Sequence, residues 1–141
     1  MRAFLLDANV LIALAWPDHV AHERVGAWFA SHSRAGWATC PFTEAAFVRI
    51  LSNPAFSPKA LSPTNALIVL KRNVELPNHR FWGDAIPLGE AVARLSQRLT
   101  GHQQVTDAYL IGLATHNGGK LATLDAKLVH LGPAVAIEMI T

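Results

Sequence analysis

The sequence predicts an α/β protein in which a central, mostly parallel β-sheet is flanked by helices on both faces. Three observations predict it. Short apolar runs of strand length, "RAFLL", "WATC", "KLATL" and "AVAIEMI", recur along the chain. Between them lie longer segments whose apolar residues return at the three- and four-residue spacing of a helix. Strands that alternate with helices are joined by crossovers, which makes neighbouring strands parallel and covers both faces of the sheet. Composition agrees, since 51% apolar against 16% charged residues supplies a large core and argues against disorder. Residues 1–141 are expected to form a single domain that buries roughly two-thirds of the surface exposed by the unfolded chain.

The first strand, "RAFLL", ends at Asp7, and a helix follows at once in "NVLIALA" with Asn9 expected as its N-cap. "DHVAHERVGAWFASHS" predicts an amphipathic helix with Val20, Val25, Trp28 and Phe29 on one side. Gly36 opens the strand "WATC". "PFTEAAFVRILSN" then predicts a helix in which Pro41 suits the first turn and Ala45, Phe47, Val48 and Leu51 supply apolar positions. After the Pro-rich connection "PAFSPKALSP", Ser62 and Pro63 have the character of an N-cap and first residue for the helix "PTNALIVLKRN". "NHRFWGDAIPLG" reads as a strand with a turn and "EAVARLSQRL" as a helix. "TDAYLIGLATHN" predicts a helix capped by Thr106, with Leu110, Leu113 and Ala114 facing inward and Gly118 and Gly119 as its stop. The strands "KLATLD" and "AVAIEMI" close the chain around the short helical "AKLVHL".

No apolar run approaches the ~20 residues of a membrane span, and the start lacks a signal peptide's basic region and cleavage site. A cytoplasmic protein with no membrane contact is therefore expected. The single cysteine, Cys40, agrees, because one thiol makes neither an internal disulfide nor a thiolate metal site; it reads as a small buried hydrophobe. Twelve Lys and Arg against ten Asp and Glu give a formal charge of +2, too small by itself to imply a polyanionic partner.

The placement of the acids says more. Ligands of parallel α/β sheets bind beyond the carboxyl ends of the strands, near a topological switch point. Asp7 ends the first strand and Asp125 ends "KLATL"; Glu44 and Asp107 lie in the opening turns of the helices "PFTEAAFVRILSN" and "TDAYLIGLATHN". All four are expected at that same edge. Each alone has an ordinary structural explanation as a first-turn charge, a turn residue or an N-cap. Four together do not, because unscreened carboxylates about 4 Å apart repel by about 4 kcal/mol at an effective dielectric of about 20. A cation relieves that repulsion, and an all-oxygen ligand set points to Mg2+, or Mn2+. Zinc is disfavoured: His19 and His22 stand three apart on a predicted helix with no third nitrogen or sulfur ligand, and His102 reads as a loop residue.

With these residues in place, the chain resembles the PIN-domain ribonucleases, and in particular the VapC toxins of bacterial and archaeal toxin–antitoxin pairs. The stretches that carry the resemblance are "LLDANVLIAL", "TEAAFVRIL", "TDAYLIGLA" and "LATLDAKL", which extend from residue 5 to residue 128. The resemblance implies a PIN-like fold. It also implies an acidic site of Asp7, Glu44, Asp107 and Asp125, with Asp7 and Asp107 the principal metal ligands and Glu44 and Asp125 completing the pocket directly or through water. Asn9, Thr106 and Thr123 match positions that orient the acids in similar proteins. The implied partners are an RNA substrate, a VapB-like antitoxin whose extended segment lies along the toxin, and a second copy in a homodimer.

The implied chemistry is Mg2+-dependent hydrolysis of RNA phosphodiester bonds, which needs acids and few other groups. Arg80, Lys71, Arg72 and Trp82 are candidates to hold the RNA backbone or stack on an unpaired base. Two other readings compete. A haloacid-dehalogenase-like phosphatase would use Asp7 as nucleophile, but expects a second aspartate where this chain has Asn9. A non-catalytic module would use the acid pocket to accept a partner's arginine; metal-dependent nuclease activity separates it from the enzyme.

Overall fold

The computed structural model describes residues 2–95 and 98–141. Five strands, β1 (Phe4–Leu6), β2 (Trp37–Thr39), β3 (His79–Phe81), β4 (Lys120–Thr123) and β5 (Ile137–Met139), form one sheet in the order β3-β2-β1-β4-β5. Every pairing in it is parallel. The chain runs outward from β1 through β2 to β3, then returns to the other side of β1 as β4. The switch point of the topology therefore lies between β1 and β4.

Helices α1 (Ala8–Ala15), α2 (His22–His32), α3 (Pro41–Leu51) and α4 (Pro63–Val74) cover one face; α5 (Leu88–Ala91) and α6 (Val105–His116) cover the other. The period-two alternation of a strand divides the core between them. Phe4, Leu6, Trp37 and Ala122 pack with Val10, Val25, Phe47 and Leu51. Leu5, Ala38 and Leu121 pack with Ala108, Ile111, Leu113 and Ala114. Central strands buried on both faces explain the unbroken apolar runs that marked them in the sequence.

Several boundaries differ from the sequence expectation. Asp7, not Asn9, is the N-cap of α1, accepting the Ala8 N–H at 2.8 Å, because the helix starts with no spacer after β1. Val20 is fully exposed, since α2 begins only at His22. The preceding turn contains Pro17 and is held locally: His19 Nδ1 accepts the Ala21 N–H at 3.0 Å, and His22 Nδ1 lies 2.7 Å from the Ala13 carbonyl oxygen. Thr106 does not cap α6, which starts at Val105 as the continuation of a 3-10 turn over His102–Gln104. The expected helix over "EAVARLSQRL" is confined to α5, whose last residue Ala91 is buried; turns follow that bury Leu95, and Ser96 and Gln97 lie outside the described residues. Ser62 does cap α4, accepting the Asn65 N–H at 3.1 Å. Cys40 is buried at the N-cap of α3, one residue beyond β2. Among the described residues no helix is long and apolar enough to cross a membrane.

Candidate active site

Asp7 leaves β1 and Asp125 stands two residues past β4, so the two strands that flank the switch point each deliver a carboxylate to its carboxyl edge. Asp107 joins them from the first turn of α6. The charge of Asp125 reaches Asp7, and the charges of both reach Asp107. Burial pushes the Asp7 pKa up; hydrogen bonds from Thr123 and Ala8 oppose that shift, and the charge of Asp125 adds to it. Burial, then the charges of Asp7 and Asp125, push Asp107 up to about 6.

The supporting hydrogen bonds define how Asp7 is held. Its Oδ1 accepts the Ala8 N–H, and its Oδ2 accepts the Thr123 hydroxyl at 2.9 Å. Thr123 is fully buried, and its oxygen also accepts the Asp125 N–H at 3.1 Å. Asp125 Oδ1 in turn accepts the Lys127 N–H at 3.0 Å, capping the 3-10 turn that begins at Ala126. Asn9 lies two residues beyond Asp7 in α1. Its Oδ1 is, among the described residues, the one buried side-chain oxygen or nitrogen with no hydrogen-bond partner. Thr106 is exposed and instead lines a hollow with Phe42, Ile86, Leu88 and Tyr109.

Glu44, in the first turn of α3, is engaged differently. Its Oε2 accepts the hydroxyl of Thr39, the last residue of β2, at 2.6 Å. The Thr39 oxygen also lies 2.8 Å from Nε2 of His79 in β3. Thr39 and His79 were not singled out from the sequence. Thr39 was within reach of the strand-end rule that located Asp7, whereas His79 depends on the long-range pairing of β3 with β2.

The donor set fits a hard divalent cation. It offers oxygen alone, two carboxylates whose charged forms are disfavoured without a counter-ion, and a buried amide oxygen lacking a donor that a coordinated water would provide. Among the described residues, no three His, Cys, Asp or Glu side chains form a ready-made ligand cluster.

The basic and aromatic candidates are spread out. Lys71 and Arg72 are exposed in the last turn of α4. The Arg80 guanidinium packs over Gly36, before the amino end of β2 and so away from the acids. Trp82 is buried in the core beside α6, so it is not available to stack on a base, contrary to the expectation from sequence. His102 is exposed ahead of α6.

A PIN domain model matches residues 4–132. Ribonuclease VapC39 of Mycobacterium tuberculosis is 43% identical over 136 residues, covering 96% of this chain and 98% of the relative. Ribonuclease VapC38 of the same species is 41% identical over 140 residues, 97% of each chain. Among solved structures, the crystal structure of VapBC2 from Rickettsia felis bound to a DNA fragment from their promoter has a similar chain, with a TM-score of 0.70 at 11% identity and 99% of each chain covered. That of FitAcB from Neisseria gonorrhoeae gives 0.60 at 20% identity and 95% of each chain. At such identities these two structures bear on the fold alone.

Proposed function

This chain belongs to the PIN-domain family, with VapC ribonucleases as its relatives, and from that premise we propose that it is a metal-dependent endoribonuclease of the VapC toxin type. The observation that carries the reading is the placement of Asp7 and Asp125, bridged by the buried Thr123 hydroxyl, at the carboxyl ends of the two strands that flank the switch point, with Asp107 in the first turn of α6. Asp7 and Asp107 are the proposed ligands of a divalent ion, Mg2+ with Mn2+ as a substitute, and Asp125 acts through water. Bound there, the ion supplies positive charge to the scissile phosphate and a water of lowered pKa.

The chain's own residues do the rest. Thr123 and the Ala8 N–H fix both oxygens of Asp7, so its carboxylate does not have to reorganise when the phosphate arrives. Thr39 occupies Glu44 Oε2 and leaves Oε1 to accept a proton from the attacking water. Asn9 Oδ1 accepts a hydrogen bond from water at the site, which satisfies the one buried group left without a partner.

The type of the relatives also supports a cytoplasmic protein of one domain, neutralised by a VapB-like antitoxin and paired with a second copy. Leu67 and Ile68, exposed on α4, and Phe42, exposed on α3, provide apolar surface for such contacts.

The test is to incubate the purified protein with total RNA and Mg2+ and to map the new ends. Internal cuts whose products lack a 2′,3′-cyclic phosphate, abolished by EDTA, are expected, because water and not the 2′-hydroxyl is the nucleophile. Intact RNA, or cyclic ends formed in EDTA, would reject the reading.

A further inference from the structure

We propose that His79 is a positioning residue for the ribonuclease reaction, holding Glu44 in place through the hydroxyl of Thr39. The inference rests on the ribonuclease reading above and adds to it a pair of residues that do not touch the aspartates.

Thr39 Oγ1 is 2.6 Å from Glu44 Oε2 and 2.8 Å from His79 Nε2. A hydroxyl has one proton to give, and a carboxylate only accepts. The Thr39 proton therefore goes to Glu44, and the Thr39 oxygen accepts from Nε2–H of His79. The direction of the chain fixes the tautomer of the ring: Nε2 carries the proton. Burial lowers the pKa of His79 and so favours the neutral ring, although the Glu44 charge opposes the shift.

Both ends of the chain are anchored by the fold. Thr39 is fully buried at the end of β2. His79 opens β3, paired in register with Trp37, and its ring lies tilted against the Trp37 indole with centroids 4.6 Å apart. Trp37 is itself fixed, since Nε1 donates to the Pro77 carbonyl at 2.9 Å and its backbone N–H donates to the Asn78 carbonyl at 3.2 Å. Asn78 takes a left-handed φ of 70°, a conformation that asparagine tolerates better than most residues, and turns the chain into β3. Glu44 has no such anchor of its own, being half-buried on the first turn of a helix with a long flexible side chain. The hydroxyl selects one rotamer of it, and the histidine commits that hydroxyl's proton to the carboxylate.

The test compares Thr39→Val with Thr39→Ser, and His79→Leu with His79→Gln, whose amide N–H reaches about as far as Nε2–H. Steady-state RNA cleavage at saturating Mg2+ gives kcat and KM, melting without metal reports the fold, and nitrogen-15 NMR reports the His79 tautomer. Thr39→Val and His79→Leu are expected to lose roughly ten- to hundred-fold in kcat with KM changed by less than about twofold. Thr39→Ser and His79→Gln should retain most of the activity, and the His79 Nε2–H signal should shift in Thr39→Val. Unchanged kcat in Thr39→Val and His79→Leu, equal losses in the conservative variants, or an Nδ1–H tautomer in the parent would overturn the proposal. A parent that cleaves no RNA rejects the ribonuclease reading, and with it any role for His79 in cleavage.

Discussion

The hydroxyl of Thr123 donates to Oδ2 of Asp7 across 2.9 Å, joining residues 116 positions apart in the chain. Because the same oxygen accepts the Asp125 N–H, one buried threonine orients two of the acids. Thr123→Val keeps the shape and removes both bonds. It is expected to weaken Mn2+ binding and kcat by roughly ten- to hundred-fold, the usual effect of losing a group that orients a metal ligand. Titration calorimetry and cleavage assays check it; parent-like values in both would show that Asp7 is held well enough by Ala8 and α1.

Asp7 serves the helix as well as the site, and two substitutions separate the roles. Asp7→Asn keeps an oxygen for the Ala8 N–H but removes the charge, so it should retain the fold and lose RNA cleavage. Asp7→Ala removes the cap too. Without metal it should melt about 3–5 °C below Asp7→Asn, the equivalent of a cap worth ~1 kcal/mol.

The raised pKa of Asp107 has a sign in stability. Its folded value of about 6 exceeds the ordinary 3.8, so between them the folded chain binds more protons than the unfolded one. In chelator, this group's opposition to folding is full above about pH 6 and fades as pH falls toward 4. Asp7, raised chiefly by burial, acts in the same direction, while His19 and His79, whose pKa values are lowered chiefly by burial, act against it on acidification. The difference between parent and Asp107→Asn isolates the effect. Without metal the asparagine variant should melt higher than the parent at pH 7, and the gap should shrink at pH 5. Added Mg2+ should raise the parent's melting temperature at pH 7 and do much less for the variant. A variant less stable than the parent in chelator would make Asp107 a plain first-turn charge.

Gly112 shows how closely α6 is packed. A Cβ there would run into the Ala91 carbonyl oxygen of α5 and lie 2.9 Å from the Ala91 Cβ. Backbone cannot yield as a flexible side chain does, so Gly112→Ala should destabilise the fold by about 1–3 kcal/mol or displace α5. Denaturant unfolding measures it, and a change below about 0.5 kcal/mol would contradict the close approach.

The alternation of elements and the strand-end aspartates were legible in the sequence because each is a local pattern with a topological consequence. Burial on both faces writes β1 and β4 as apolar runs, and the end of such a run is where Asp7 and Thr123 stand. Local signals could not choose between Asp7 and Asn9 as the cap, since both residue types cap well and only the strand's pairing shows where it stops. Val20 stands outside the helix because α2 begins only at His22, and a valine in a turn carries the same local signal as a valine on a helix. The four-residue spacing of Ala91 and Leu95 suits a longer helix, yet α5 ends at Ala91 and the turns that follow bury Leu95 without it. The engagement of Glu44 by Thr39 and His79 is set by strand register, which single residues do not announce.

The central claim is that Asp7 and Asp107, assisted by Asp125 through water, would hold the divalent ion on which RNA cleavage depends. It is tested most directly by the initial rate of cleavage of a defined RNA as Mg2+ is raised from zero, for the parent and for Asp107→Asn. The account predicts no cleavage by the parent in EDTA, saturable recovery with Mg2+, and no recovery by Asp107→Asn at ion concentrations that saturate the parent. Cleavage by the parent in EDTA, or a parent-like Mg2+ response from Asp107→Asn, would contradict it.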